Sequence, residues 1–157
     1  MTNGDEWETP DDLFDALDTE FEFTMDFAAS HENAKCHHYL RIEDDQCGDD
    51  GLKFGWGKID GFGWLNPPYS RGLIEAFMHK AHKESLSGAR FVTLTRFDPS
   101  TDWWQKFVNG RATEVRMLAH RVKFKGAPSA YNFPCAVSVF DSRSCRETRY
   151  RVWSWRQ

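Results

Sequence analysis

An apolar run, Gly61-Phe62-Gly63-Trp64-Leu65, passes without interruption into Asn66-Pro67-Pro68-Tyr69, and this junction constrains the fold more than any other stretch of the chain. Pro67 biases Asn66 out of the helical region and Pro68 does the same to Pro67, so the backbone stays extended where the strand ends. A helix is expected next. Ser70 can cap it, Ile74, Phe77, Met78 and Ala81 form a stripe at helical spacing, and Gly88 follows its end. A strand, a stiff link and a helix in that order form the repeating unit of an α/β sheet.

The alternation continues on both sides. Thr9 is placed to cap an N-terminal helix, Pro10 suits its first position, and Asp11 and Asp12 complement the positive end of the helix dipole. Leu13, Phe14 and Leu17 give that helix one apolar face. From Phe21 to Ala28, Phe21, Phe23, Met25 and Phe27 alternate with Glu22, Thr24, Asp26 and Ala28, which predicts a strand. A short helix is expected over Glu32 to Cys36 and a strand near His38 to Ile42. A polar loop then runs through Glu43, Asp44, Asp45, Asp49 and Asp50, with turns at Gly48 and Gly51. Strands near Phe91 to Thr95, Glu114 to Ala119 and Ala136 to Phe140, with a helix from about Thr101 to Val108, complete the pattern. Such an order implies an α/β fold: one mainly parallel sheet with helices on both faces. The 157 residues suit one domain with a single core, and no repeat, linker or low-complexity tract divides them.

Hydrophobic residues make up 40% and charged residues 28%, and no apolar run approaches the roughly 18 residues of a membrane span. The polar, acidic start lacks a secretory pattern, so the expected location is the cytoplasm. Cys36, Cys47, Cys135 and Cys145 show no C-x-x-C pairing and are expected to be reduced thiols. The net charge of −4 hides an asymmetry. Residues 1–75 carry 5 Lys+Arg against 18 Asp+Glu, whereas residues 76–157 carry 15 against 6. A face for a polyanion and a merely solvated surface both follow from charge alone.

In an open α/β sheet the ligand lies beyond the carboxyl ends of the strands, and two strand ends here are chemically unusual: Asp26-Phe27-Ala28-Ala29 and Asn66-Pro67-Pro68-Tyr69. At the second, an amide oxygen and a main-chain carbonyl can converge on one amino group, with the Tyr69 ring available for stacking. An exocyclic amine of a base is conjugated to its ring and is a poor nucleophile. Two acceptors on its N–H bonds favour a pyramidal nitrogen whose lone pair attacks an electrophilic methyl. The alternative is a plain proline turn. Cys36, His37, His38 and Cys47 lack a paired-ligand spacing, so no metal is expected. No phosphate-binding glycine loop or nucleophile elbow is present. Of Trp103 and Trp104, one is expected in the core and one in a groove.

Taken in order, Trp7-x-Thr9-Pro10, Met25-Asp26-Phe27-Ala28-Ala29, Asn33-Ala34-Lys35-Cys36, Asp50-Gly51-Leu52 with Trp56, Trp64-Leu65-Asn66-Pro67-Pro68-Tyr69-Ser70 and Trp103-Trp104 resemble the amino-methyltransferases that use S-adenosylmethionine. The resemblance is closest to the small phage and prophage DNA N6-adenine methyltransferases of the Dam-like type. It implies a Rossmann-like methyltransferase fold, with Asn66, Pro67, Pro68 and Tyr69 catalytic. It also implies a cofactor site of Trp7, Thr9, Pro10, Asp26, Phe27, Ala28, Asp50, Leu52 and Asn66, with Glu43 or Asp44 on the ribose. Alanines stand at 28 and 29 where such enzymes carry glycine. The implied partner is DNA with a flipped adenine. Arg121, Lys123 and Lys125 would contact phosphates together with Arg111, Arg116, Arg143, Arg146, Arg149, Arg151 and Arg156, and Phe124 would stack on the base. Cytosine-N4 or protein-glutamine methylation, or a decayed DNA-binding module that blocks restriction, remain the alternatives.

Overall fold

The computed structural model describes residues 5, 7–42, 50–141 and 147–156, and of Lys58 the backbone alone. Its elements are α1 (Asp11–Phe21), β1 (Met25–Ala29), β2 (Tyr39–Arg41), a 3-10 turn (Trp56–Lys58), β3 (Gly63–Leu65), α2 (Leu73–Leu86), β4 (Phe91–Arg96), α3 (Asp102–Phe107), β5 (Glu114–Leu118), β6 (Cys135–Phe140) and β7 (Arg149–Trp153). The strands form one seven-stranded sheet in the order β2-β1-β3-β4-β6-β5-β7. Only β6 runs against its neighbours; every other pairing is parallel. The fold is therefore α/β with a mostly parallel sheet.

Both faces are covered. Leu13, Phe14 and Leu17 of α1 pack with Trp64, Val92, Leu94 and Val137 on one face. Ile74, Phe77 and Met78 of α2 and both tryptophans of α3 pack with Phe27, Leu65 and Phe91 on the other. Trp103 and Trp104 are thus both core residues, contrary to the expected division between core and groove. Because β1 lies between β2 and β3, the chain crosses over at this point, and the crevice beyond β1 and β3 is the topological switch point where ligands bind in such sheets.

Four local expectations are corrected. The aromatic alternation over 21–28 is not one strand: Phe21 ends α1, Glu22 turns through φ 52, and β1 starts at Met25. The Asp18 carboxylate accepts the Phe23 N–H at 2.8 Å, and Phe21 stacks on Phe23, so a helix end plus a turn buries the same rings. No helix forms at Glu32 to Cys36, because Ser30 and Asn33 exchange side-chain to backbone hydrogen bonds of 2.7 and 3.3 Å and the Lys35 N–H goes to Asp26. Neither expected side-chain cap is made. Pro10 occupies the cap of α1, and at α2 Glu75 reaches back to the N–H of Gly72 at 2.5 Å. The basic stretch from Arg149, to which the sequence reading assigns no element, is the edge strand β7, paired in parallel with β5.

Candidate active site

Three cavities meet at Asp5 beyond the ends of β1 and β3. The largest, about 600 Å³, is bounded by Ala29, Ser30, His31, Asn33, Arg41 and Ile42. A narrow cleft of about 20 Å³ adjoins it through Asn33 and is walled by Glu8, Thr9, Asp26, Ala28, Lys35 and Asn66. A second cleft of similar size lies among Trp7, Asn66, Pro67, Tyr69 and Phe124. Asn66 and Trp7 belong to both clefts, so they stand at the boundary between them.

The N-P-P-Y segment is braced from several sides. The Asn66 side-chain N–H donates to Thr9 Oγ1 at 3.1 Å, leaving the amide oxygen turned away from Thr9. Tyr69 donates its hydroxyl to the Leu94 carbonyl at 2.9 Å, and burial holds its phenol well above 10, so only the ring is offered to a ligand. The Asp5 carboxylate accepts the Ser70 N–H at 3.0 Å. The N-terminal segment is in turn held by a two-bond bridge between the Glu8 and Lys125 backbones, at 3.2 and 2.8 Å. A motif near residue 66 thus depends on Asp5, Glu8 and Thr9 for its shape.

The cleft around Asp26 is acidic and tightly bonded. Asp26 is 3% exposed, and its two oxygens accept the N–H groups of Ala28 and Lys35, each at 3.1 Å. Burial pushes its carboxyl up to about 7, while those two N–H groups and the Lys35 charge pull the other way. Lys35 itself is paired with Glu8 at 2.7 Å and Asp11 at 2.8 Å. The lining of this cleft thus joins the carboxyl groups of Asp26 and Glu8 to the Lys35 ammonium, and through Asn33 it opens onto the 600 Å³ cavity.

A family model described as DNA N-6-adenine-methyltransferase (Dam) matches residues 1–152. The chain belongs to the Dam family. The chain is 36% identical over 101 residues to the DNA N-6-adenine-methyltransferase of Escherichia phage T1, across 64% of this chain and 39% of that protein. It therefore spans about two fifths of that relative's length. YfdM of Escherichia coli K12, provisionally named a methyltransferase, is 36% identical over 67 residues, or 42% of this chain and 72% of YfdM. Among solved structures, Atu636 of Agrobacterium tumefaciens, described as a predicted O-methyltransferase, has 17% identity and a TM-score of 0.37. The match covers 74% of this chain and 52% of that one.

Within this Dam-family chain, the structure gathers Trp7, Thr9, Asp26, Ala28 and Asn66 around one cleft and Trp7, Asn66, Pro67, Tyr69 and Phe124 around the other. Several expected residues lie elsewhere. The Phe27 side chain is fully buried and stacks on Trp56 at 4.3 Å, so it supports β1 from the core. Asp50 is a turn former, accepting the Leu52 N–H at 2.8 Å, and Leu52 packs on the core; neither lines the three cavities. Pro10 and Pro68 shape the backbone without lining them. Phe124 is 3% exposed, covered by Trp7 at 6.4 Å and by the edges of Tyr69 and Tyr131, so it is a wall and not an open platform. Lys125 is paired with Asp11 and Glu8 at 2.7 and 3.3 Å, and Arg121 donates to the Asn132 carbonyl at 3.0 Å. Lys123 is exposed. Glu43, Asp44, Cys47, Arg143, Cys145 and Arg146 lie outside the described residues.

Sequence reasoning missed Asp5, Glu8 and Lys35 as parts of the site. Lys35 stands inside the Asn33-Ala34-Lys35-Cys36 motif, which was the available signal, but its partners lie 27 and 24 residues away. The charge asymmetry does not produce one basic face. Arg116 is buried and spent on Glu20 and Glu114, and Arg149 pairs with Glu114 at the amino end of β5, opposite Asn66.

Proposed function

We propose that this protein transfers a methyl group from S-adenosylmethionine to the N6 amino group of an adenine extruded from DNA. The observation that supports it most is the position of Asn66 on the boundary between an acidic cleft and an aromatic one. Asp26, Ala28 and Thr9 would hold the cofactor's charged end, with Ala29, Ser30 and Arg41 beside its adenosine. Bound there, the cofactor supplies an electrophilic methyl. Asn66 Oδ1 and the adjacent main-chain carbonyl accept the two N–H bonds of the target amine, which localises its lone pair toward that methyl. The N–CH3 bond would form as the S–CH3 bond of the donor breaks, the bonding pair staying on the sulfur of S-adenosylhomocysteine, and the nitrogen would then release one proton to solvent, so no strong base is needed.

The aromatic cleft has room for about one water, so a base enters only when the Trp7 ring leaves its stack on Phe124. Tyr69, tethered by its hydroxyl, then presents its face to the base. Arg121, Lys123 and the exposed Phe133 flank this end of the sheet and are the proposed contacts to the duplex. Incubating the protein with methyl-labelled S-adenosylmethionine and DNA, then digesting to nucleosides, tests the reading. Labelled N6-methyldeoxyadenosine is the expected product. N4-methyldeoxycytidine, or no transfer to DNA, would overturn it.

A further inference from the structure

We propose that Thr9 is the positioning residue that decides which end of the Asn66 amide faces the target amine. The two orientations of an asparagine amide have nearly the same shape, so packing does not separate them; hydrogen bonding must. Only the orientation with oxygen toward the target accepts an amino N–H. The reverse sets N–H against N–H.

Thr9 is 2% exposed and its hydroxyl oxygen takes the Asn66 N–H at 3.1 Å. A hydroxyl can also donate, so the side on which its proton lies matters. Beyond Thr9, the cleft is walled by Glu8 and Asp26, carboxyl groups that accept hydrogen bonds. Donation by Thr9 toward those carboxyl groups would leave only its lone pairs for Asn66, whose amide oxygen lies opposite the bonded N–H on a side chain that also lines the cleft of Pro67 and Tyr69. Thr9 cannot drift from this place. Glu8, its neighbour, is laddered to Lys125 on one side and ion-paired to Lys35 on the other. The residue that looks like a helix cap therefore connects the cofactor-side cleft to the acceptor group.

For its catalytic consequence this role rests on the methyl-transfer reading; the hydrogen bond itself does not. Thr9→Val keeps the shape and removes the hydroxyl, and Thr9→Ser keeps the hydroxyl. At saturating S-adenosylmethionine and DNA, Thr9→Val should lower kcat at least tenfold, with KM for DNA within twofold, and Thr9→Ser should restore most of that rate. A Thr9→Val protein that loses only cofactor affinity, with kcat intact at saturation, would make Thr9 a plain cofactor contact and overturn the proposal. A second readout is the Asn66 side-chain amide pair in a nitrogen-15 spectrum, assigned by its loss in Asn66→Asp. One amide proton should exchange slowly in wild type and Thr9→Ser and rapidly in Thr9→Val. Equal exchange in all three overturns the link. If the wild-type chain methylates no DNA, the functional reading falls and the amide signals alone decide the Thr9–Asn66 bond. Should Thr9→Val not fold, Thr9→Ala is read in the same way.

Discussion

The ammonium group of Lys35 lies 2.7 Å from the Glu8 carboxylate, although only 8% of the lysine side chain is exposed. That contact pins the segment after β1 to the N-terminal segment and so closes the cleft between them. Lys35→Met keeps the aliphatic stem and removes the charge, leaving Glu8 with Lys125 alone. The expected loss is about 1–3 kcal/mol of folding stability, read from urea denaturation, together with weaker S-adenosylmethionine binding. Wild-type values for both would show that the pair is incidental.

Asp26 makes stability depend on pH. Its carboxyl rises from 3.8 to about 7 on folding, mainly through burial, so the folded chain binds more protons than the unfolded chain between those values. Stability contributed by this group is present below about pH 4 and falls as pH climbs toward 7, by at most about 4 kcal/mol. A cationic ligand reverses the preference, so its binding should release a proton near pH 6 and tighten up to about pH 7. Calorimetry in two buffers of different ionisation heat measures the proton count. Asp26→Asn should abolish the release.

Asn66→Ala removes the proposed acceptor and leaves the other residues that wall the two clefts in place. Methyl transfer should fall at least a hundredfold, equivalent to about 2.7 kcal/mol of transition-state stabilisation, with cofactor affinity little changed. Single-turnover rates compared with calorimetric Kd values decide it. A variant retaining half its turnover is incompatible with this role.

The three cations at 121, 123 and 125 should not behave alike. Arg121→Gln and Lys123→Gln should each flatten the salt dependence of DNA binding by about 0.9 in slope, because each would remove one proposed phosphate contact. Lys125→Gln should leave the slope unchanged, since its charge is already taken by Asp11 and Glu8. Its effect on stability should be small, as expected of an exposed pair. Fluorescence anisotropy at a series of salt concentrations separates the three.

Gly51 should tolerate no side chain. A Cβ there would stand 2.1 Å from the Phe27 carbonyl oxygen, which belongs to β1. Gly51→Ala should cost about 3 kcal/mol or more, read as a drop in Tm. Gly57→Ala, whose nearest neighbour would lie at 3.5 Å, should be close to neutral.

What the sequence determined by itself was whatever depends on neighbouring residues. The two prolines dictate an extended link after Trp64-Leu65 wherever that strand lies, and the stripe from Ile74 to Ala81 reads as a helix because about two turns of it face one core. The buried runs of β4 and β6 needed no partner to be read as strands. Tertiary structure decided the rest, for one physical reason: the energy of a non-local contact depends on a distance that only the sheet order sets. Phe21 and Phe23 satisfy the same burial from a helix end as from a strand: Phe23 packs on Trp64 and Phe21 on Phe62, both distant in sequence. Strand β7 alternates Arg149 and Arg151 with Tyr150 and Val152, but those apolar positions stay exposed, and the strand exists because β5 offers it a free edge. The acidic and basic halves cancel across the fold, through Glu20 with Arg116 and Asp11 with Lys125, because ion pairs form between residues 96 and 114 positions apart as readily as between neighbours. Thr9 carried the local chemistry of a helix cap, yet its hydroxyl was claimed by an amide 57 residues away, once β3 brought Asn66 beside the start of α1.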